Sequence, residues 1–74
     1  MTFRRLTALI EREGGLYVSF CPEVDIASQG ETVEQARENL VEALELFFEA
    51  ASAEEAERRL RGEIYVTSVD VAVG

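Results

Sequence analysis

The residues of this chain that could do chemistry fall in one short run, Cys21-Pro22-Glu23-Val24-Asp25. A thiol beside carboxylates raises the question of a nucleophile. Two carboxylates two residues apart share one side of an extended segment, where they could share a proton or hold a hard cation. Neither chemistry finds its partners. The sequence contains no histidine and no lysine, which removes the commonest general base, the Schiff-base nucleophile and the commonest zinc ligand together. Cys21 therefore has no activating base, and the acid after it would raise its pKa rather than lower it, so it reads as a structural thiol on a strand. Hard-cation sites need more ligands than Glu23 and Asp25 supply, so those two read as solvated loop acids, and no grouped set of acids supports a metal-dependent nuclease. Gly14-Gly15 lacks the spacing of a phosphate-binding glycine motif. Arg4-Arg5 and Arg58-Arg59-Arg61 are too short, and too mixed with acids, to form a nucleic-acid patch. No catalytic, cofactor or metal residue is assigned, and the expectation is a binding protein rather than an enzyme.

Size and charge point the same way. Seven arginines face fifteen Asp and Glu, for a net charge of −8 over 74 residues. A surface this acidic is repelled by phosphate backbones and anionic membranes and suits a basic protein partner. One domain of this length buries only about 60% of the surface its unfolded chain exposes, and oligomerisation is a common remedy. The lone Cys21 excludes an internal disulfide framework, as in a reducing compartment. No signal-peptide core is present and no apolar run approaches the roughly 18 residues a membrane helix needs. A cytoplasmic location is expected.

The elements that position these residues are legible as periodicities. Residues 3–12 carry the alternating Leu6, Ala8 and Ile10 of a half-buried strand, and Glu13-Gly14-Gly15 supplies a hairpin turn. A second strand over 16–21 puts Leu16, Val18 and Phe20 on one face and Tyr17, Ser19 and Cys21 on the other, and Pro22 ends it. Residues 24–29 read as a third strand with Val24 and Ile26 aligned. The stretch GETVEQARENLVEALELFFEAA, residues 30–51, is a long amphipathic helix. Thr32 is its N-cap, Gln35 completes a capping box, and Val33, Ala36, Leu40, Leu44, Phe47 and Ala51 form its apolar face. At roughly 100° per residue, Glu34, Glu38, Glu42, Glu45 and Glu49 line up beside that face, either as a solvated surface or as a docking surface for a basic partner. Leu46 falls away from the apolar arc and hints at a partner or subunit contact.

Ser52 is positioned to cap a short helix over 53–61, with acids early, arginines late and Gly62 as its stop. Residues 63–73 are rich in Val, Ile, Tyr and Thr and predict a fourth strand, with a bulge near Thr67-Ser68 where the apolar residues change register. The order is β-β-β-α-(α)-β, an α+β fold. An antiparallel meander is joined by a right-handed crossover that lays the long helix on one sheet face. Tyr17, Tyr65 and Val69 are expected on the uncovered face, and a homo-oligomer, dimer or tetramer, is expected to cover it.

The run GGLYVSFCPEVDIASQGETVEQARENLVEALELFFE resembles the N-terminal domain of HicB-family antitoxins and their solitary HicB-like relatives. The shared features are Gly14-Gly15, the strand over 17–20, Pro22-Glu23, Gln29-Gly30, Glu31-Thr32, Glu34 and Ala36, then Glu42-Ala43 and Glu45-Leu46. Many relatives read Asp-Leu-Pro-Gly after the strand, where Val24-Asp25-Ile26 stands here. The resemblance implies a partial ribonuclease H-like fold without catalytic acids. It also implies a partner, a small basic HicA-type RNA-cleaving toxin whose active site the antitoxin occludes. Many HicB antitoxins add a C-terminal DNA-binding domain. Here a single domain over 1–74 is expected, with no direct nucleic-acid binding. The residues expected to face a partner are Glu23 and Asp25 in the loop and Glu38, Glu42, Glu45, Leu46 and Glu49 on the helix. The competing expectation is a stand-alone oligomeric scaffold of the same fold without a toxin.

Overall fold

A computed structural model describes residues 3–60 and 62–74. Three strands, β1 (Leu9–Glu13), β2 (Leu16–Cys21) and β3 (Ile26–Gly30), form an antiparallel meander in the order β1-β2-β3. Two helices follow, α1 (Val33–Ala50) and α2 (Ala53–Arg59), so the fold is α+β as the sequence predicts. The β1–β2 hairpin closes on Glu13 opposite Leu16, across the two glycines. Gly14 has φ 61°, the conformation that the first position of a tight hairpin turn requires and that a side chain disfavours.

The helix lies on a floor of small side chains. Ser19 and Cys21 of β2 are fully buried beneath it. The Ser19 hydroxyl donates to the Ala36 carbonyl at 2.8 Å, and the Asn39 amide donates to the Gln29 carbonyl at 2.7 Å. At Gly30 a Cβ would stand 2.5 Å from the Ala36 nitrogen and 2.8 Å from the Gln35 carbonyl carbon, so only glycine lets the first turn of α1 come this close. Above this floor sits the core: Cys21, Val24 and Leu40, with Leu6, Ile26, Leu44, Phe47, Phe48 and Leu60 packed around them.

Both helices start as their sequences predict. Thr32 caps α1 by accepting from the Gln35 N–H at 3.0 Å, and Ser52 caps α2 by accepting from the Glu55 N–H at 3.1 Å. The reciprocal bond of the capping box is displaced by one residue, because the Gln35 side chain accepts from the Glu31 N–H rather than from that of Thr32. α2 ends at Arg59 rather than at the expected 61, because Leu60 already turns extended (φ −66°, ψ 122°) as its C-cap, and Arg61 itself lies outside the described residues.

Four expectations are corrected. The first strand begins at Leu9, not near residue 3. The Glu23 carboxylate captures the Thr7 N–H and hydroxyl, so the chain before β1 is tied to a loop instead of a ladder. The third strand begins at Ile26, since residues 22–25 form a turn in which Asp25 adopts φ 57° and Val24 drops into the core. Tyr17 alternates with Ser19 and Cys21 onto the helix side, opposite Arg12, whose guanidinium lies 5.8 Å from its ring centroid. The bare face therefore carries Leu9, Leu16, Val18, Phe20 and Ala27. Finally, residues 62–74 form no strand: a strand needs a neighbouring edge for its backbone groups, and this segment runs out from α2 without one among the described residues. Its Val69, Val71 and Val73 are 76%, 72% and 89% exposed. The molecule is accordingly long, 50 × 28 × 19 Å with a radius of gyration of 14.4 Å, against about 11 Å for a compact chain of this length.

Candidate interaction surfaces

The loop that looked most chemical in the sequence is structural. Glu23 is half-buried and accepts from the Thr7 N–H at 3.0 and 3.1 Å, from the Thr7 hydroxyl at 2.6 Å and from the Cys21 thiol at 3.4 Å. Burial pushes this carboxyl upward, but the Thr7 hydroxyl, the backbone N–H groups of Glu23 and Thr7 and the Cys21 thiol together outweigh it. Glu23 sits below its ordinary value of 4.5. Burial pushes the Cys21 thiol up from 9.0, and although the Val24 and Glu23 N–H groups oppose this, burial together with the adjacent Glu23 carboxylate prevails. It is buried and protonated at neutral pH, the opposite of an activated nucleophile. Because 22–25 is a turn, Glu23 and Asp25 do not share the side of an extended segment. Glu23 is engaged with Thr7 while Asp25 is exposed.

Arg59 completes this corner, and its sequence position gave no sign of the role. Its guanidinium donates to the Val24 carbonyl and lies 5.1 Å from the Phe47 ring centroid. One side chain thus joins α2, the 22–25 turn and α1. A matching contact outside the core is the exposed pair Arg4–Glu57 at 3.4 Å.

The acidic row on α1 stands as the helical period predicts. Glu34, Glu38, Glu42, Glu45 and Glu49 are all exposed, and none is in an ion pair with a described residue. Leu46 is 59% exposed beside them. Glu45 also borders a shallow apolar groove formed by Phe3, Leu6, Val41, Leu44 and Phe48. On the opposite side of the sheet, Leu9, Val18, Phe20 and Ala27 line a second concavity bordered by Glu11. The molecule therefore presents an acidic helical face and an apolar sheet face on opposite layers. Among the described residues no three Cys, Asp or Glu side chains gather in a metal-holding arrangement, and no helix is long and apolar enough to cross a membrane.

No family model matches the chain, and no solved structure matches it significantly. It is similar to a UPF0150 protein of the cyanobacterium Synechocystis sp., with 46% identity over 50 residues, a stretch that spans 65% of this chain and 63% of that protein.

Proposed function

We propose that this chain is a cytoplasmic antitoxin-like binding protein of the HicB type, which captures a small basic RNA-cleaving toxin of the HicA type and occludes its active site. The observation that carries the reading is the exposed, unpaired row of Glu34, Glu38, Glu42, Glu45 and Glu49 on one helix, with Leu46 beside it as an apolar anchor. A row of like charge with no internal partner attracts a basic protein over a distance, and the apolar anchor holds it after contact. The resemblance of residues 14–49 to HicB antitoxins and the similarity to a UPF0150 protein support the assignment. Of the loop acids, Asp25 is available to a partner and Glu23 is engaged within the chain. The protein itself is proposed to be catalytically inert and without a cofactor.

Binding kinetics against a small basic HicA-type protein provide the test, at two salt concentrations. Converting Glu38, Glu42 and Glu45 together to Gln should slow association and flatten its salt dependence, with dissociation little changed. Wild-type association that ignores salt would refute electrostatic capture. A second reading, a stand-alone oligomeric module with no toxin, draws on the bare apolar sheet face, and complete failure to bind that basic protein would favour it.

A further inference from the structure

Two unsatisfied features occur on this chain, and they fit each other. The first is the segment 63–74. From Thr67 onward its odd positions, Thr67, Val69, Val71 and Val73, form one row of strand-favouring side chains with Ser68, Asp70 and Ala72 alternating, whereas Ile64 and Val66 before them take the other phase. Over 67–73 it has the pattern of a half-buried strand, yet these residues are exposed and pair with nothing among the described residues. The second is the outer edge of β1, five residues long and unpaired among the described residues, beside an apolar face made by Leu9, Val18, Phe20 and Ala27. The other edge of the sheet is less open, because the Gln29 carbonyl of β3 is taken by Asn39.

The chain does not close this edge with its own segment. Arg59 fastens the end of α2 to Val24 and Phe47, and residues 63–74 beyond it join no strand of the described residues. A second copy carries the same unpaired strand and the same open edge, in equal number. Reciprocal exchange fills both at once and closes under two-fold symmetry.

We infer that residues 63–74 form an exchanged strand, each copy adding its Val69–Val73 stretch to the β1 edge of the other. Five residues of segment meet five residues of edge. The backbone groups of both gain partners, and the row Val69, Val71, Val73 extends the apolar face at its Leu9 and Phe20 end, next to the Glu11 and Glu13 that β1 also places on that face. This inference is independent of toxin binding, since the acidic row lies on the other layer.

The full chain is tested by sedimentation equilibrium and by a mixed dimer of isotope-labelled and unlabelled copies. Wild type should sediment at twice the 8.2 kDa chain mass. Val71→Pro removes a ladder donor within the exchanged stretch and should weaken association at least about tenfold while the helical signal is kept. Val71→Thr keeps the donor and the branched side chain and should retain the dimer. The mixed dimer should show contacts between residues 69–73 of one copy and 9–13 of the other. A monomer at every concentration, a Val71→Pro dimer as tight as wild type, or an assembly whose mass grows without limit would each overturn the inference. If Val71→Pro unfolds, the mixed-dimer contacts decide, and their absence in a wild-type dimer refutes exchange.

Discussion

Gly30→Ala is the sharpest probe of how this fold is held together. The added methyl would stand 2.5 Å from the Ala36 nitrogen, 2.8 Å from the Gln35 carbonyl carbon and 2.9 Å from the Gln35 Cβ. Two of these are backbone atoms of the first turn of α1, so no side-chain rotation relieves them. Relief requires the helix to lift off β3, which stretches the bonds from Ser19 to the Ala36 carbonyl and from Asn39 to the Gln29 carbonyl. Overpacking of this kind costs about 1–3 kcal/mol, and backbone neighbours place it toward the upper end. Loss of glycine's unfolded-state entropy returns roughly 0.4–1 kcal/mol. The net expectation is a destabilisation of about 2 kcal/mol, or a fall in Tm of roughly 8–16 °C for a domain of this size. Urea and thermal unfolding followed by circular dichroism measure it. Gly15→Ala is the control, because nothing lies within 4 Å of its Cβ and its φ is not positive. A Gly30→Ala protein as stable as the Gly15→Ala control would refute the argument that close helix approach makes glycine necessary.

Glu23 and Arg59 yield two further predictions. Glu23 has a folded-state pKa below its ordinary 4.5, so its contribution to stability is present above that value and is lost as pH falls through the folded pKa. Glu23→Gln should flatten the acid limb of the stability curve below pH 4.5 and lower stability at neutral pH, and an unchanged acid limb in chemical unfolding across that window would refute the Thr7 clamp. Arg59→Ala removes the bond to the Val24 carbonyl and the contact with the Phe47 ring, together worth about 1–3 kcal/mol. Hydrogen exchange should then accelerate in α2 first, and uniform acceleration across the chain would contradict its role as a local fastener.

What the sequence made visible was mostly local. The caps at Thr32 and Ser52, the glycine hairpin and the 3.6-residue period of α1 depend on residues within a few positions of each other, and each appears where its pattern predicts. Which face of β2 meets the helix was not legible from hydropathy. Leu16, Val18 and Phe20 look like the core side, but Ser19, Gly30 and Ala36 decide by size, since only small residues let α1 seat closely. Contacts across long separations were equally hidden. Thr7 with Glu23 and Arg59 with Val24 join positions whose neighbourhoods carry no shared pattern. The fourth strand failed for a related reason: strand propensity is written in residues 63–73, but pairing belongs to an edge elsewhere.

That division of faces leads to a last prediction about how the two proposed surfaces relate. The helix takes the small-residue side of the sheet, so the large apolar side chains of β2 are left outward. The acids cluster on the outer side of the helix, a full layer away. If exchange of 63–74 uses the sheet side and capture of a basic partner uses the helix side, a change in one should leave the other intact. Val71→Pro should therefore halve the assembly's mass while the association rate per chain, and its dependence on salt, stay within about twofold of wild type. The Glu38, Glu42, Glu45 triple change should do the reverse, slowing association while the mass stays that of the dimer. Rim charges act mainly on the encounter and fall off over a Debye length of roughly 8–10 Å, so removing them on one layer reaches the opposite layer only weakly. Measuring mass and association rate on the same two variants completes the comparison. If Val71→Pro abolishes capture, the two surfaces are one, and the partner binds across the boundary that exchange creates.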